Sequence, residues 1–122
     1  MKSLEKVFKS FYYALHGLYD VFKSSLNFRI GILITFLVAV TGFIVKLGLF
    51  SWLVVIFTCA LVLAAEALNT GAEKMLDFFH PERHPEIGHV KDIMASAVAI
   101  CVIGALFVGI IIFGNAFYYL LK

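Results

Sequence analysis

Polar residues at helical spacing between Ala65 and Asp77 are the best candidates for chemistry in this sequence. The set consists of Glu66, Asn69, Thr70, Glu73 and Asp77. On a helix, at about 100° per residue, these side chains fall within an arc of about 100°. Glu66 directly follows an apolar run, where a carboxylate is costly and marks a functional site. The spacing therefore predicts an acidic stripe along one face of a helix.

The two glutamates of the stripe predict two different roles. Seven residues separate Glu66 from Glu73, which is about 10 Å along a helix axis and too far for a shared proton. A carboxylate at a membrane surface can take a proton from a lipid hydroxyl, and a second one nearer the cytosol can hold Mg²⁺. A solvated helix end is the alternative, and it suits Asp77 and Glu73 better than Glu66.

A Lys-Asp pair, Lys91-Asp92, precedes the last apolar run of the sequence. A lysine there can neutralise phosphate oxygens, although the same position also suits a membrane-anchoring cation. Together with the stripe, the pair indicates phosphoryl transfer, in which catalysis is mostly positioning and charge neutralisation.

The composition indicates a membrane protein. Of the 122 residues, 62% are hydrophobic and 15% are charged, against about 45–50% apolar residues in soluble domains. A soluble domain this short could not bury so much apolar surface. The net charge of +2 is small and dispersed, which argues against nucleic-acid binding. Cys59 and Cys101 lie in apolar runs, where a thiol behaves as a small hydrophobe.

The hydrophobic pattern predicts a single all-α membrane domain over residues 1–122. An amphipathic helix over 3–24, with apolar residues at i, i+3 and i+4 spacing from Leu4, is expected to lie in the membrane interface; a soluble core helix is the alternative. Three transmembrane helices are predicted at 28–48, 50–78 and 91–121, with a tight turn near Lys46 and Gly48. The second is expected to extend into the cytoplasm, and the loop after it contains Pro81 and Pro85.

The distribution of cations predicts the orientation. Eight of the ten Lys and Arg residues fall on one side of the predicted spans and two fall on the other. The larger group contains Lys2, Lys6, Lys9, Lys23, Arg29, Lys74, Arg83 and Lys91; the smaller one contains Lys46 and Lys122. By the positive-inside rule, the N-terminus and the acidic stripe are expected in the cytoplasm and the C-terminus outside.

Two other kinds of site are not favoured. His80, Glu82 and His84, with His89 nearby, have spacings reminiscent of zinc ligands, but Pro81 and Pro85 interrupt any shared helix face. The sequence contains no glycine-rich phosphate loop and no nucleophile triad signature. A nucleotide would therefore need an unfamiliar fold.

These residues resemble the prokaryotic diacylglycerol kinase and undecaprenol kinase family of small trimeric membrane enzymes, over nearly the whole chain. The resemblance is carried by Glu66-Ala-Leu-Asn-Thr70 with Glu73 and Asp77, by His84, Gly88 and Lys91-Asp92, and more weakly by Lys9, Gly17 and Asn27-Phe-Arg29.

The resemblance implies a role for each matching residue. Glu66 would be the base toward the lipid hydroxyl, and Asn69 would support the reacting groups beside the lipid. Glu73 would bind Mg²⁺ and the nucleotide. The other nucleotide-binding residues would be Asp77, Lys91, Asp92, Lys9 and Tyr13. ATP as co-substrate, a homotrimer with sites shared between protomers and a location in the bacterial cytoplasmic membrane are also implied.

Two positions depart from the family pattern. Ser25 stands where the family usually has a metal-binding Glu, so the metal site is expected to lose a ligand. Asp20 is five residues away, about 140° round a helix, and is not an obvious substitute. Gly71-Ala72 replaces Ala and a larger apolar residue, which predicts closer helix packing.

The sequence therefore predicts an ATP- and Mg²⁺-dependent lipid kinase. Diacylglycerol and undecaprenol both remain as acceptors. One alternative is a small transporter or accessory subunit, in which Glu66 would couple to protons. A second alternative, motivated by Ser25, is a catalytically weakened kinase relative that binds lipid.

Overall fold

The chain forms four helices joined by short connections. The computed structural model describes all residues 1–122. The helices are α1 (Lys2–Ser24), α2 (Leu26–Ile44), α3 (Leu49–Phe79) and α4 (Pro85–Leu121), and no strand is present. The predicted all-α class is confirmed. Helix α2 ends before residue 48, and α4 begins six residues before the predicted span at 91–121.

Helices α2, α3 and α4 are each long and apolar enough to cross a membrane, with mean hydropathies of 1.9, 2.2 and 2.8 in their most apolar windows. A helix satisfies its own backbone hydrogen bonds, which is what the hydrocarbon interior demands. Only 6 of the 122 residues are buried within the chain. Because the apolar surface is not hidden inside the chain, lipid must cover most of it, and the protein is a membrane protein.

A capped corner joins α1 to α2. The hydroxyl of Ser25 accepts a hydrogen bond from the backbone N–H of Phe28 at 3.1 Å and so caps the start of α2. The guanidinium of Arg29 donates to the carbonyls of Phe22 and Lys23 at 2.9 and 2.7 Å, which satisfies the end of α1. Val21 and Phe28 are buried beside this corner. These interactions fix the point at which α1 ends and α2 begins.

The turn between α2 and α3 is a Schellman motif centred on Lys46. The N–H of Leu47 donates to the carbonyl of Gly42, and the N–H of Lys46 donates to that of Phe43. Lys46 has φ 57°, the one positive φ of a non-glycine residue in the chain. The predicted tight turn is confirmed, but Gly48 has φ −74° and caps the start of α3 instead.

Helices α3 and α4 make the most extensive contact between elements. Residues 80–84 connect them without regular structure, and α4 begins at Pro85, where a missing N–H costs nothing. His84 caps this helix, since its Nδ1 accepts from the N–H of Glu86 at 3.1 Å. One of the two prolines therefore starts a helix.

Candidate functional site

The acidic stripe lies on α3, as predicted, and Glu66 is its most enclosed member. The residue is only 8% exposed and is the one buried charged residue of the chain. A carboxylate enclosed in this way has lost much of its hydration, which is energetically costly. Such a residue is therefore a candidate for function.

Asn69 and Glu73 are joined one turn further along the stripe. The amide Nδ2 of Asn69 donates to Oε1 of Glu73 at 3.3 Å. The carbonyl Oδ1 of Asn69 is enclosed and has no hydrogen-bond partner. A buried acceptor is normally paired, so an unpaired one indicates a position for a ligand or a water. This oxygen can accept a hydrogen bond from a bound hydroxyl or water.

An ion pair closes the far end of the stripe. Nζ of Lys91, on α4, lies 2.6 Å from Oδ1 of Asp77, on α3. The two side chains are 34% and 62% exposed, respectively. The pair brings the predicted phosphate-neutralising lysine onto the stripe, so α3 and α4 together position these two predicted site residues.

A polar crevice of about 560 Å³ opens beside this ion pair. Its lining includes Asp77, Lys91 and the loop residues His80, Arg83 and His84. His80 was predicted from the sequence only as a disfavoured zinc ligand, and neither Arg83 nor His84 was predicted as a site residue. The sequence feature that could have identified these loop residues is their position between the helix that contains the acidic stripe and the helix that contains Lys91. No group of three or more potential metal-ligating residues occurs in the chain.

An apolar groove of about 560 Å³ runs along the neighbouring face of α3. It lies between α1, α2 and α3, and all of its lining residues are hydrophobic: Leu15, Leu18, Tyr19, Phe22, Phe28, Ile32, Leu63, Ala64 and Ala67. Leu63 and Glu66 are three residues apart on α3, and therefore about 60° apart around its axis. The groove thus brings apolar surface next to the buried carboxylate.

Three predicted nucleotide-binding residues are not brought to the stripe within this chain. Lys9 and Tyr13 are exposed on α1, and the ring of Tyr13 lies against that of Tyr12 at a centroid distance of 5.9 Å. Asp92 is exposed at the start of α4 and makes no ion pair. Their roles remain predictions.

The carboxylates available to a metal are few. The hydroxyl of Ser25 is engaged as the cap of α2, and Asp77 is engaged by Lys91. Glu73 remains, with one oxygen bound to the Asn69 amide. A single carboxylate suits Mg²⁺ that arrives on substrate phosphates and keeps several waters, but not a cage built only from protein ligands.

The predicted close packing at Gly71 is not found within the chain. A Cβ built on this glycine would meet no atom within 4 Å. Close approach occurs instead at Gly31, whose Cβ would lie 3.0 Å from Leu63, and at Gly42, whose Cβ would lie 2.7 Å from Trp52. These two glycines let α2 lie against α3.

The chain is similar to known lipid kinases over most of its length. The family model described as prokaryotic diacylglycerol kinase matches residues 12–113. An undecaprenol kinase from Bacillus subtilis (strain 168) is 28% identical over 110 residues, covering 90% of this chain and 89% of the relative. A diacylglycerol kinase from Haemophilus influenzae is 30% identical over 103 residues, covering 83% and 87%, respectively. A match over most of the chain establishes that this protein belongs to the prokaryotic diacylglycerol kinase family of membrane lipid kinases.

Proposed function

We propose that this protein transfers the γ-phosphate of ATP to the hydroxyl of a membrane lipid alcohol, either diacylglycerol or undecaprenol. The observation that carries the proposal is the position of Glu66. It is a buried carboxylate with an all-apolar groove on one side and a polar, cation-lined crevice about three turns further along α3.

The lipid occupies the apolar groove, with its hydroxyl at Glu66. Asn69 accepts a hydrogen bond through its free Oδ1 and holds the reacting hydroxyl or a neighbouring group. Glu66 takes the hydroxyl proton as the lipid oxygen bonds to the γ-phosphorus. The bond from that phosphorus to the β,γ-bridging oxygen breaks, and ADP leaves. Transfer is direct and in line, with no phospho-enzyme.

The nucleotide phosphates lie at the crevice beside Asp77 and Lys91. Lys91 is bound to Asp77 in the free protein, and the phosphates compete for its ammonium. Glu73 would hold the Mg²⁺ carried by ATP, and the ion would supply neutralisation of the phosphate charge. Asp92, Lys9 and Tyr13 complete the nucleotide site.

The site faces the cytoplasm, and the protein lies in the bacterial cytoplasmic membrane. Eight of the ten cations fall in residues 2–29 and 74–91, the two regions on the side of the site, which favours an N-terminus inside and a C-terminus outside. Helix α1 lies in the interface, with its lysines near anionic headgroups. The assembly is a homotrimer. A neighbouring protomer supplies Lys9 and Tyr13, since in their own chain they contact nothing on the stripe.

A weakened kinase is the second candidate, and the Ser25 hydroxyl favours it. That hydroxyl is committed to the backbone of Phe28 and is not available as a strong metal ligand. Ser25→Glu tests this candidate directly. If the native site is impaired, the variant shows tighter Mn²⁺ binding, measured by electron paramagnetic resonance, together with faster Mg²⁺-dependent turnover. Unchanged binding and turnover would contradict it.

Phosphate transfer from γ-labelled ATP to lipid in mixed micelles tests the main proposal. Diacylglycerol and undecaprenol are offered separately, with and without Mg²⁺. Labelled lipid in either arm supports the kinase and identifies its acceptor, and absence of label in both argues against it.

Glu66→Gln separates the base role from nucleotide binding. We expect turnover to fall by about 10²-fold or more while ATP binding, followed by a fluorescent ATP analogue, is unchanged. Glu5→Gln, at an exposed position on α1, is the matched control. Full turnover in Glu66→Gln would rule out the base role.

A further inference from the structure

A second polar crevice lies at the opposite end of the helices from the acidic stripe. It has a volume of about 300 Å³ and lies between the α2–α3 turn and the last turns of α4. Ser51 in its wall is fifteen residues from Glu66 on α3, which is about 22 Å along the axis. At about 30 Å³ per water, the crevice holds the volume of about ten waters. Because of its distance from Glu66 along α3, the crevice is separate from the kinase site.

Four hydrogen-bonding side chains line this crevice, namely Lys46, Ser51, Asn115 and Tyr119. Elsewhere in the spans, Thr35, Thr41 and Thr58 each donate their hydroxyl to the carbonyl four residues earlier. The four crevice side chains make no such bond, and the one salt bridge of the chain lies elsewhere. Their hydrogen-bonding capacity is left for a ligand or for water.

The charged side chains at this end of the molecule are all cations. No Asp or Glu occurs between residues 21 and 65 or after residue 92. Lys46 and Lys122 are the cations of this end, and only Lys46 lines the crevice. Because Lys46 is the one charged side chain in the lining, and no Asp or Glu side chain is there to compete for its ammonium, the crevice favours anions over cations.

The backbone of Lys46 supports a functional role for its ammonium. Its φ of 57° lies in the left-handed region, where glycine is much preferred at this position of a Schellman motif. A lysine held there is strained, and strained residues concentrate at functional sites. The strain does not serve the turn, since glycine would form the same turn without it.

We propose that this crevice binds the phosphate headgroup of an anionic phospholipid. Lys46 pairs with the phosphate, and Ser51, Asn115 and Tyr119 donate hydrogen bonds to phosphate or glycerol oxygens. Leu47 and Leu120 in the wall of the crevice contact the lipid chains. This wall and the adjoining membrane helices favour a lipid over free phosphate. A headgroup without its own cation is preferred because the crevice contains no carboxylate.

Native mass spectrometry of the full-length protein tests the proposal. The protein is titrated with phosphatidylglycerol or phosphatidylcholine, and a third arm uses inorganic phosphate. We expect phosphatidylglycerol to bind in preference to phosphatidylcholine, and free phosphate not to displace it at equal concentration. Equal retention of the two lipids, or displacement by phosphate alone, would overturn the proposal.

Matched variants separate this crevice from general attraction to the membrane. Lys46 and Tyr119 line the crevice, and the test variants are Lys46→Gln and Tyr119→Phe. Lys122 and Tyr118 do not line it, and the Lys122 ammonium lies 5.9 Å from the Tyr118 ring, so Lys122→Gln and Tyr118→Phe are the controls. We expect Lys46→Gln to weaken phosphatidylglycerol binding at least about tenfold, Tyr119→Phe to weaken it less, and both controls to retain it. Equal loss in Lys46→Gln and Lys122→Gln would show a non-specific effect and contradict the site.

Lys46→Gly distinguishes a loss of lipid binding from a loss of folding stability. Glycine removes the cation while relieving the backbone, so weaker lipid binding by a protein that unfolds no more easily supports the proposal. Retained binding in this variant would contradict it. Lipid-kinase turnover in micelles without anionic lipid is expected to be unchanged in all five variants.

Discussion

Asn69 lies between the two glutamates of the stripe in the sequence, and its two polar ends differ in their hydrogen bonding. Its amide donates to Glu73, which orients the side chain, and its enclosed carbonyl oxygen has no partner. The two carboxylates differ in exposure, since Glu66 is buried and Glu73 is partly exposed. We propose different roles for them on this ground: Glu66 would take the hydroxyl proton and Glu73 would hold Mg²⁺.

Lys91→Gln is expected to weaken ATP binding about tenfold, because charge-assisted hydrogen bonds to phosphate are lost. Stability should change by less than about 1 kcal/mol, because the ion pair with Asp77 is partly exposed. Nucleotide titration and thermal unfolding in detergent measure the two effects. Lys74→Gln, at an exposed position on α3, is the control. Unchanged ATP binding in Lys91→Gln would remove this residue from the site.

At the scale of elements, the ends of the helices are set by individual residues that cap them. Ser25 and Arg29 determine where α1 leaves α2, and Lys46 determines where α2 turns into α3. These residues therefore set the two connections among the first three helices.

Ser25→Ala is expected to destabilise the protein by about 1 kcal/mol, since the cap of α2 is lost. The adjacent Ser24→Ala is a close control, because the Ser24 hydroxyl only donates back to the carbonyl of Asp20 within α1. We expect it to be neutral within about 0.5 kcal/mol. Unfolding in mixed micelles compares the two variants, and equal effects would show that the cap contributes nothing.

Lys46→Gly is expected to stabilise the protein by about 1 kcal/mol, because glycine adopts φ 57° without steric cost. The measurement is best made in detergent without anionic lipid, where the lysine has no ligand. Gly48→Ala serves as the comparison. It should be tolerated, since Gly48 has φ −74° and a Cβ there meets no atom within 4 Å. Destabilisation by Lys46→Gly would mean that the side chain itself supports the turn.

At the scale of the whole molecule, a single chain contains only part of the proposed site. Glu66, Asn69, Glu73, Asp77 and Lys91 lie together on α3 and α4 of one chain. Lys9 and Tyr13 do not join them. The large exposed apolar surface is also consistent with contact between copies within the membrane.

Mixing inactive variants tests which residues share a chain. Glu66→Gln and Lys91→Gln subunits are expected to remain inactive when assembled together, because both residues serve the same site. Glu66→Gln mixed with Lys9→Gln should recover a fraction of the activity, because one assembled site then combines intact residues from two chains. Co-assembly is verified by native mass. Recovery in the first mixture, or none in the second, would contradict this arrangement.

The sequence by itself determined the helical class, the three membrane-spanning helices, the stripe from Glu66 to Asp77 and the family. These follow from local physics, since apolar length selects membrane helices and helical spacing gathers the polar residues on one face. The residues around Glu66 that carry the family resemblance are consecutive turns of a single helix.

Only the tertiary structure decided which residues from different elements meet. The Asp77–Lys91 pair, the crevice lined by Arg83 and the groove beside Glu66 join segments distant in sequence. The role of Ser25 as a cap and the left-handed backbone of Lys46 also became visible only in the structure. Such features depend on how helices end and pack against one another. The periodicity of a sequence does not specify them, because it shows only which face of a helix a residue occupies.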